Sequence, residues 1–280
     1  HMPSGGDGND EQALRNAAYD NIAAVRDSRD WMARLRAESV IFRTNLQDRR
    51  YDVQWGPQTA NRWTLYPSGN ADAPCLIFIH GGYWQWNRPE DFACLAEGLL
   101  AHGWSVAMPA HTLAPVANLT RIVRELEQAL DWLARHGHAY GLSGPYVLSG
   151  WSAGGTLATL LLDHPLIATG LCLSGIHDLA PLRETYLNVA LKLGRQEVED
   201  FSPLRITPSP KPLCLAFGTR ELPVFSRDGT ALHDLRERHQ CPTTLLPVQQ
   251  MDHFRILDML RAPDGLLTRW MVETTGHTIG

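Results

Sequence analysis

The stretch YVLSGWSAGG, residues 146–155, decides the fold of this chain because a buried strand passes into a helix within it. Its first residues are apolar and strand-like, and a helix is predicted to begin near Ala153. Gly150 and Gly154 flank Ser152 in the pattern G-x-S-x-G. The two glycines permit a tight turn and a close approach of the helix to neighbouring strands. Such a turn would place the Ser152 hydroxyl above a sheet, at a helix N-terminus, and therefore predicts a nucleophile.

The segments on both sides of this turn alternate between apolar runs and helical patterns. CLIFI, residues 75–79, is a continuous apolar run of the kind found in strands buried on both faces. YDVQW and RWTLY, residues 51–55 and 62–66, alternate in polarity and predict an antiparallel hairpin. Further strands are predicted at 104–109, 170–175, 213–217 and 243–248, and helices at 11–45, 89–102, 118–137, 225–239 and 254–261. This alternation predicts an α/β fold with a mostly parallel central sheet and helices on both faces.

The expected domain organisation is simple. Residues 1–10 are polar and glycine-rich and are expected to form a disordered tail. Its first two residues resemble a cloning remnant. The presence of a targeting segment in the native protein is therefore left open. Residues 11–280 are expected to form one domain, and residues 177–211, where the alternation breaks, are expected to form a small helical cap insertion.

Composition excludes several classes of function. The chain has 280 residues, a formal net charge of -5, 44% hydrophobic residues and 20% charged residues. An acidic balance gives no electrostatic footprint for nucleic acid, and no apolar run reaches the roughly 18 residues of a membrane span. We therefore expect a globular protein with a small-molecule partner, no nucleic acid and no membrane, and a homodimer is an open alternative to a monomer.

The cysteines indicate a reducing compartment. There are five, an odd number without regular spacing: Cys75, Cys94, Cys172, Cys214 and Cys241. Three lie in strand-like runs, where a small buried thiol is the ordinary interpretation. We therefore expect no disulfides and a cytoplasmic location, and we see no spacing for a metal site and no need for a cofactor.

A second motif, HGGYW at residues 80–84, follows the strand 75–79 directly. Acyl transfer needs N–H donors aimed at the carbonyl oxygen where negative charge develops. Gly81 and Gly82 allow the backbone to approach a substrate without interference from a Cβ atom, and the N–H of Ala153 would supply another donor. Since ligands bind beyond the carboxyl ends of parallel strands, this loop is predicted to face Ser152 and to form an oxyanion hole.

A base is predicted after the last strand. Of twelve histidines, His253 alone follows that strand closely, on a loop that opens into a helix. His239 ends the helix before the strand and belongs to the opposite side of the sheet. The order nucleophile, acid, histidine along the chain is the order that this architecture requires.

The acid should follow the preceding strand. Glu221 lies four residues past Phe217 and could accept a hydrogen bond from His253 Nδ1, which would fix the tautomer and stabilise the imidazolium. Asp228 is the competitor, but it falls within the next helix, where we expect it to be solvated. Asp252 adjoins His253 and is poorly placed to bond its ring.

With these residues identified, the chain resembles α/β hydrolases with an HGG loop and, among them, kynurenine formamidases (arylformamidases). HGGYW corresponds to their HGG-x-W motif, and DHF at 252–254 to their histidine motif. SGIHDLAPLRETYLN, EVEDFSP and ELPVF are similar to further family segments, with Glu221 where Asp is usual. The resemblance implies the α/β-hydrolase fold, a triad of Ser152, Glu221 and His253, and an oxyanion hole around Gly81, Gly82 and Ala153.

The chain also departs from the family pattern close to the predicted pocket. Trp151 stands where the family usually has His before the nucleophile, and Gly155 and Thr156 replace Ala-His. PAHTLAP, residues 109–115, replaces a Tyr-x-Leu-x-Pro type of segment. These departures bear on the substrate more than on the reaction class.

The resulting hypothesis is two-step hydrolysis of an N-formyl arylamine such as N-formylkynurenine through an acyl-enzyme. Four aromatic residues are candidates for the pocket of the leaving group: Tyr83, Trp84, Trp86 and Trp151. Two alternatives stay open. One is a carboxylesterase, amidase or carbamate hydrolase acting on small aryl substrates, and the other is a catalytically silent protein of the same fold that binds a small ligand.

Overall fold

A central sheet organises residues 6–279, the part of the chain that the computed structural model describes. Its strands are β1 (Tyr51–Gln54), β2 (Arg62–Tyr66), β3 (Cys75–Ile79), β4 (Ser105–Pro109), β5 (Tyr146–Trp151), β6 (Ile167–Leu173), β7 (Leu213–Gly218) and β8 (Thr243–Val248). Their order in the sheet is β1-β2-β4-β3-β5-β6-β7-β8. The β1–β2 and β2–β4 pairs are antiparallel and the remaining pairs are parallel. The predicted hairpin and the mostly parallel sheet are confirmed.

The inner strands are buried on both faces. In β3, Cys75, Ile77 and Ile79 belong to one hydrophobic core, and Leu76 and Phe78 belong to a second core on the other side. Successive side chains of a strand point to opposite faces, so an uninterrupted apolar run suits a strand with a core on each side.

Helices cover both faces. They are α1 (Gly6–Ala17), α2 (Asn21–Ala24), α3 (Ser28–Asn45), α4 (Glu97–Ala101), α5 (Leu119–His136), α6 (Ala153–Leu160), α7 (Asn188–Leu191), α8 (Arg195–Phe201), α9 (Pro223–Arg238), α10 (Asp258–Arg261) and α11 (Leu266–Ile279), with 3₁₀ turns at 89–96, 137–140, 180–184, 203–205 and 255–257. The apolar side of α5 joins the core that contains Ile77. Helices α3, α4 and α11 contribute to the core that contains Phe78.

The N-terminal region differs from the prediction in two ways. Helix α1 begins at Gly6, so residues 6–10 are helical where a disordered tail is expected, while residues 1–5 lie outside the described residues. The expected helix over 11–45 is divided into three, and Asp20 caps α2 by accepting a hydrogen bond from the Ala23 N–H. An aspartate that bonds nearby backbone N–H groups favours a new helix start over continuation of the preceding helix.

The segment 177–211, predicted to be a cap, contains two 3₁₀ turns, α7 and α8. The first two residues of the segment are held by Asp228 of α9. Its Oδ2 accepts hydrogen bonds from the N–H groups of His177 at 2.8 Å and Asp178 at 3.4 Å. Asp228 is therefore buried, and the expectation that it is solvated is wrong. Burial raises its pKa, and the two backbone donors act in the opposite direction.

Among the described residues, none of the helices combines the length and apolar character needed to cross a membrane. The same part of the chain holds no cluster of three or more His, Cys, Asp or Glu side chains suited to a metal ion. All five cysteines are free thiols in buried positions.

Candidate active site

Ser152 occupies a strained turn between β5 and α6. Its backbone angles are φ 57° and ψ -121°, a positive φ that residues other than glycine seldom adopt. A Cβ atom at Gly150 would lie 2.0 Å from the Gly154 carbonyl oxygen, and one at Gly154 would lie 2.1 Å from the Ile79 carbonyl oxygen. Only glycine fits at both positions, which explains why the sequence G-x-S-x-G forms this turn.

The backbone of Ser152 forms hydrogen bonds with strand β6 and with helix α6. Its N–H donates to the Leu173 carbonyl of β6 at 2.7 Å, and its carbonyl accepts from Gly155 and Thr156 of α6. The side chain is buried and lines a cavity that His253 also lines. The turn therefore presents the hydroxyl at the N-terminus of α6, toward the cavity.

Glu221 and His253 form a buried hydrogen-bonded pair. His253 Nδ1 lies 2.5 Å from Glu221 Oε1, and the two side chains are 4% and 1% exposed. The other carboxylate oxygen, Oε2, accepts from the Ser174 hydroxyl at 2.7 Å and from the Gly218 N–H at 2.6 Å. With both oxygens engaged, the carboxylate has a fixed position from which to orient the imidazole.

Sequence reasoning missed Ser174. It lies directly after β6 at the same edge of the sheet as Ser152 and Glu221, and its φ is 54°. Its place at the carboxyl end of a strand was the signal that could have identified it.

The His253 ring is held between two aromatic side chains. Its centroid lies 4.9 Å from that of Trp151 and 4.7 Å from that of Phe225. Trp151 also donates from its indole Nε1 to the His253 carbonyl oxygen at 2.8 Å. Trp151 thus links the turn at Ser152 to the loop that carries His253.

The two competing carboxylates are engaged elsewhere. Asp252 Oδ1 accepts from the N–H groups of Phe254 and Arg255, and its Oδ2 pairs with the Arg255 guanidinium. Asp228 accepts hydrogen bonds from the backbone at the start of the 177–211 segment. Within the hydrogen bonds of residues 6–279, Glu221 alone joins a carboxylate to the His253 ring.

The HGG loop packs directly against the turn at Ser152. A Cβ atom at Gly81 would lie 2.7 Å from the Trp151 carbonyl oxygen and 3.1 Å from Ser152 Cβ, and Gly82 has a φ of 121°. The Gly81 carbonyl oxygen accepts from Asn87 Nδ2 at 3.0 Å and from His80 Nδ1 at 2.8 Å. These bonds fix the peptide planes of the loop.

His80 is a neutral imidazole. It is fully buried and stacks on the ring of His111, with centroids 4.9 Å apart. Burial lowers the pKa of His80 to about 3, and the neighbouring His111 acts in the same direction. Because a carbonyl oxygen only accepts, the single ring proton of His80 lies on Nδ1 and is donated to Gly81.

The cavity beside Ser152 has a volume of about 420 Å³. Of the four predicted aromatic residues, Tyr83, Trp86 and Trp151 line it. Trp84 does not: its side chain is 1% exposed and belongs to the core beneath the loop, so its assignment to the substrate pocket is wrong. The N–H groups of Gly81, Gly82 and Ala153 donate to no acceptor among the described residues, which leaves them available near Ser152.

The opposite wall of the cavity comes from the N-terminal segment, which sequence reasoning did not connect with the site. Its lining residues are Asp20, Asn21, Ile22, Ser28, Arg29, Met32 and Arg36. The segment is fastened to the HGG loop through Tyr83, whose hydroxyl donates to the Tyr19 carbonyl and accepts from Asn21 Nδ2 at 3.2 Å. The segment 177–211 contributes Tyr186 alone to the described lining.

The sheet, the glycine-framed turn after β5 and the functional loops at the carboxyl ends of the strands define an α/β hydrolase. A family model described as BD-FAE matches residues 64–162, which include the HGG loop and Ser152.

Two curated relatives are kynurenine formamidases. The protein from Danio rerio is 26% identical over 244 residues, which cover 81% of this chain and 82% of the relative. The protein from Salmo salar is 28% identical over 245 residues, with the same coverage. Among solved structures, a protein assigned as a thioesterase from Silicibacter sp. TM1040 superimposes with a TM-score of 0.82 at 28% identity, over 91% of this chain and 97% of that chain. The chain is accordingly a hydrolase, similar to enzymes of the formamidase and esterase type.

Proposed function

We propose that this protein is a serine hydrolase that cleaves N-formyl arylamines such as N-formylkynurenine. The observation that carries the proposal is the buried Glu221–His253 pair, which shares one cavity with Ser152 on its strained turn. A carboxylate, an imidazole and a hydroxyl in this chain order are the groups that acyl transfer requires.

In the proposed reaction, Ser152 Oγ attacks the formyl carbon while His253 takes the hydroxyl proton. N–H groups of Gly82 and Ala153, with Gly81 shaping the loop, hold the oxyanion. His253 then protonates the departing arylamine as the C–N bond breaks, leaving a formyl ester on Ser152. Water attacks this ester with His253 as base, and formate and the free serine are released. Glu221 orients the His253 ring throughout.

Two features support a small acyl group and an aryl leaving group. Gly81 lies against Trp151 and Ser152 with no room for a Cβ atom, so the loop backbone approaches the serine closely, which favours a compact acyl group. Tyr83, Trp86 and Trp151 offer aromatic surface in the same cavity. The curated relatives named kynurenine formamidase agree with this substrate class.

Ester hydrolysis is the second candidate, favoured by the superposition on the protein assigned as a thioesterase. Aryl esters, amides and carbamates would use the same groups and differ in the acyl group, in the leaving atom or in both. A cytoplasmic location and a homodimer stay predictions.

A panel of substrates tests the proposal. We expect kcat/KM to be highest for N-formylkynurenine and for formyl and acetyl esters of one phenol, and to fall through butyryl to octanoyl esters. Formanilide and an aryl carbamate complete the panel, and Ser152→Ala protein is the control for contaminating activity. Preference for the octanoyl ester without detectable deformylation would overturn the formamidase proposal and leave a lipase-like esterase.

A further inference from the structure

Two guanidinium groups line the proposed catalytic cavity from helix α3. Arg29, Met32 and Arg36 all contribute to the lining, and their spacing of three and four residues places them on one face of the helix. Both arginines are exposed, and neither guanidinium forms a hydrogen bond or an ion pair with the residues that the structure describes. Guanidinium is charged at every physiological pH, so the cavity wall carries two positive charges that the described residues leave uncompensated.

The neighbouring arginines differ in this respect. Arg255 is paired with both Asp27 and Asp252, and Arg261 is paired with both Glu38 and Glu97. Asp27, Glu38, Glu97 and Asp252 are therefore engaged by arginines that do not line the cavity.

One carboxylate, Asp20, lies among the described lining residues. Its Oδ1 accepts a hydrogen bond from the Ala23 N–H and caps α2, which fixes it at the start of that helix. One fixed carboxylate does not balance two arginines, so the wall formed by α2 and α3 is cationic.

We infer that Arg29 and Arg36 bind a carboxylate carried by the part of the substrate that faces α3. The inference rests on the proposed function, because it takes the cavity beside Ser152 as the place of hydrolysis. Arginine forms paired N–H···O bonds with a carboxylate, and a partly enclosed cavity strengthens such bonds relative to open solvent. The enzyme would therefore select anionic aryl substrates over neutral ones of the same shape.

A matched pair of esters tests this selection independently of deformylation. The pair is 3-(4-acetoxyphenyl)propionate and its neutral primary amide. For the unaltered protein we expect kcat/KM to favour the carboxylate by about tenfold, mainly through KM, and the preference to shrink in 0.5 M NaCl as the charges are screened. N-formylkynurenine and its α-carboxamide form a second pair for the formamidase reaction.

The variants Arg29→Gln and Arg36→Gln should each lower the preference for the carboxylate roughly threefold, and the double variant should abolish it. Their activity toward the neutral amide should stay within about twofold of the unaltered protein. Arg34→Gln is the matched control, because Arg34 lies on the same helix but lines a different surface hollow with Glu38 and Arg261. It should leave both substrates unaffected.

Two results would overturn the inference: absence of any preference in the unaltered protein, or equal losses on the charged and neutral esters in the glutamine variants. The second result would assign the arginines a structural role. Charge selection on the ester pair without hydrolysis of either formamide would instead overturn the formamidase proposal while sustaining the carboxylate site.

Discussion

Two regions meet at the cavity, and they are built differently. The edge of the sheet that carries Ser152, Glu221 and His253 consists of short backbone contacts and buried hydrogen bonds. The N-terminal wall, residues 19–36, presents exposed arginines and contacts the edge through the Tyr83 hydroxyl, the Arg255–Asp27 ion pair and the Trp31–Phe254 ring contact. The edge has the rigidity that catalytic geometry needs, whereas the wall has the variety of side chains that recognition needs. We therefore expect changes at the edge to affect kcat and changes in the wall to affect KM.

The largest effect should come from Ser152→Ala. We expect kcat to fall by about 10⁴ or more on every substrate, because the groups of a triad act as a unit. The melting temperature should change little, since the variant removes a single hydroxyl from a residue that lines the cavity. Near-normal turnover by a folded variant would break the assignment of the edge as the catalytic region.

Glu221→Gln should lower kcat by about 10²–10⁴, because a neutral amide neither stabilises the imidazolium nor fixes the tautomer. The matched variant is Asp228→Asn, which alters a buried carboxylate bonded to the backbone of His177. We expect it to lower the free energy of unfolding by about 1–3 kcal/mol while kcat changes little. Steady-state kinetics and urea titration of both variants test this division, and the reverse ranking would contradict it.

Trp84 and Trp86 are two residues apart but belong to different environments. Trp84→Ala should lower the free energy of unfolding by about 3–5 kcal/mol, because it removes a large side chain from the core. Trp86→Ala should leave stability nearly unchanged, because its side chain is 42% exposed, and should raise KM for aryl substrates. If Trp84→Ala instead raised KM without a loss of stability, its indole would have to be assigned to the substrate pocket.

Acid should weaken the protein through its buried histidines. Burial lowers the pKa of His80 and of His177 to about 3, from an ordinary value of 6.5. Below pH 6.5 these histidines are protonated in the unfolded chain but stay neutral in the folded chain. The free energy of unfolding therefore decreases as the pH is lowered from about 6.5 to 3. Each histidine accounts for about 2 kcal/mol between pH 7 and pH 5.

Urea titrations at pH 7 and pH 5 measure this loss. His177→Gln should flatten the dependence on pH, whereas the exposed His136→Gln should not. An unchanged slope in His177→Gln would show that its burial does not govern acid sensitivity.

The smallest effect is expected in the wall. Met32→Ala removes apolar surface from the cavity lining and should raise KM for aryl substrates roughly fivefold, with kcat within about twofold. Val40→Ala, at an exposed position of the same helix, is the control and should change neither. A loss confined to kcat in Met32→Ala would remove the distinction between wall and edge.

The two regions also differ in how far the sequence predicts them. The sheet, the turn at Ser152, the HGG loop and the Glu221–His253 contact follow from local signals, because parallel strands bring the residues after them to one edge. The wall has no such signal. A helical pattern over residues 28–45 indicates an amphipathic helix that packs on the rest of the protein. Its position depends on long-range contacts, such as that between Tyr83 and Tyr19, which the pattern does not reveal. The burial of Trp84 was unpredictable for the same reason: whether a loop indole points to the cavity or to the core depends on backbone angles that are positive at both Tyr83 and Trp84.

The order of these regions along the chain has a consequence for how the enzyme could diversify. Residues 19–36, which form one wall of the cavity, precede every strand of the sheet, while the groups proposed to react lie after residue 80. A single crossover near residue 45, between α3 and β1, would exchange the whole wall between related genes and leave the reacting groups intact. The two parents must match where the halves meet: at Tyr83 and its partners near position 20, at the Arg255–Asp27 and Arg261–Glu38 ion pairs, and where α3 packs into the core that contains Phe78. Chimeras made at this point would keep the reacting groups and the aromatic lining residues of one parent and take the charged wall of the cavity from the other.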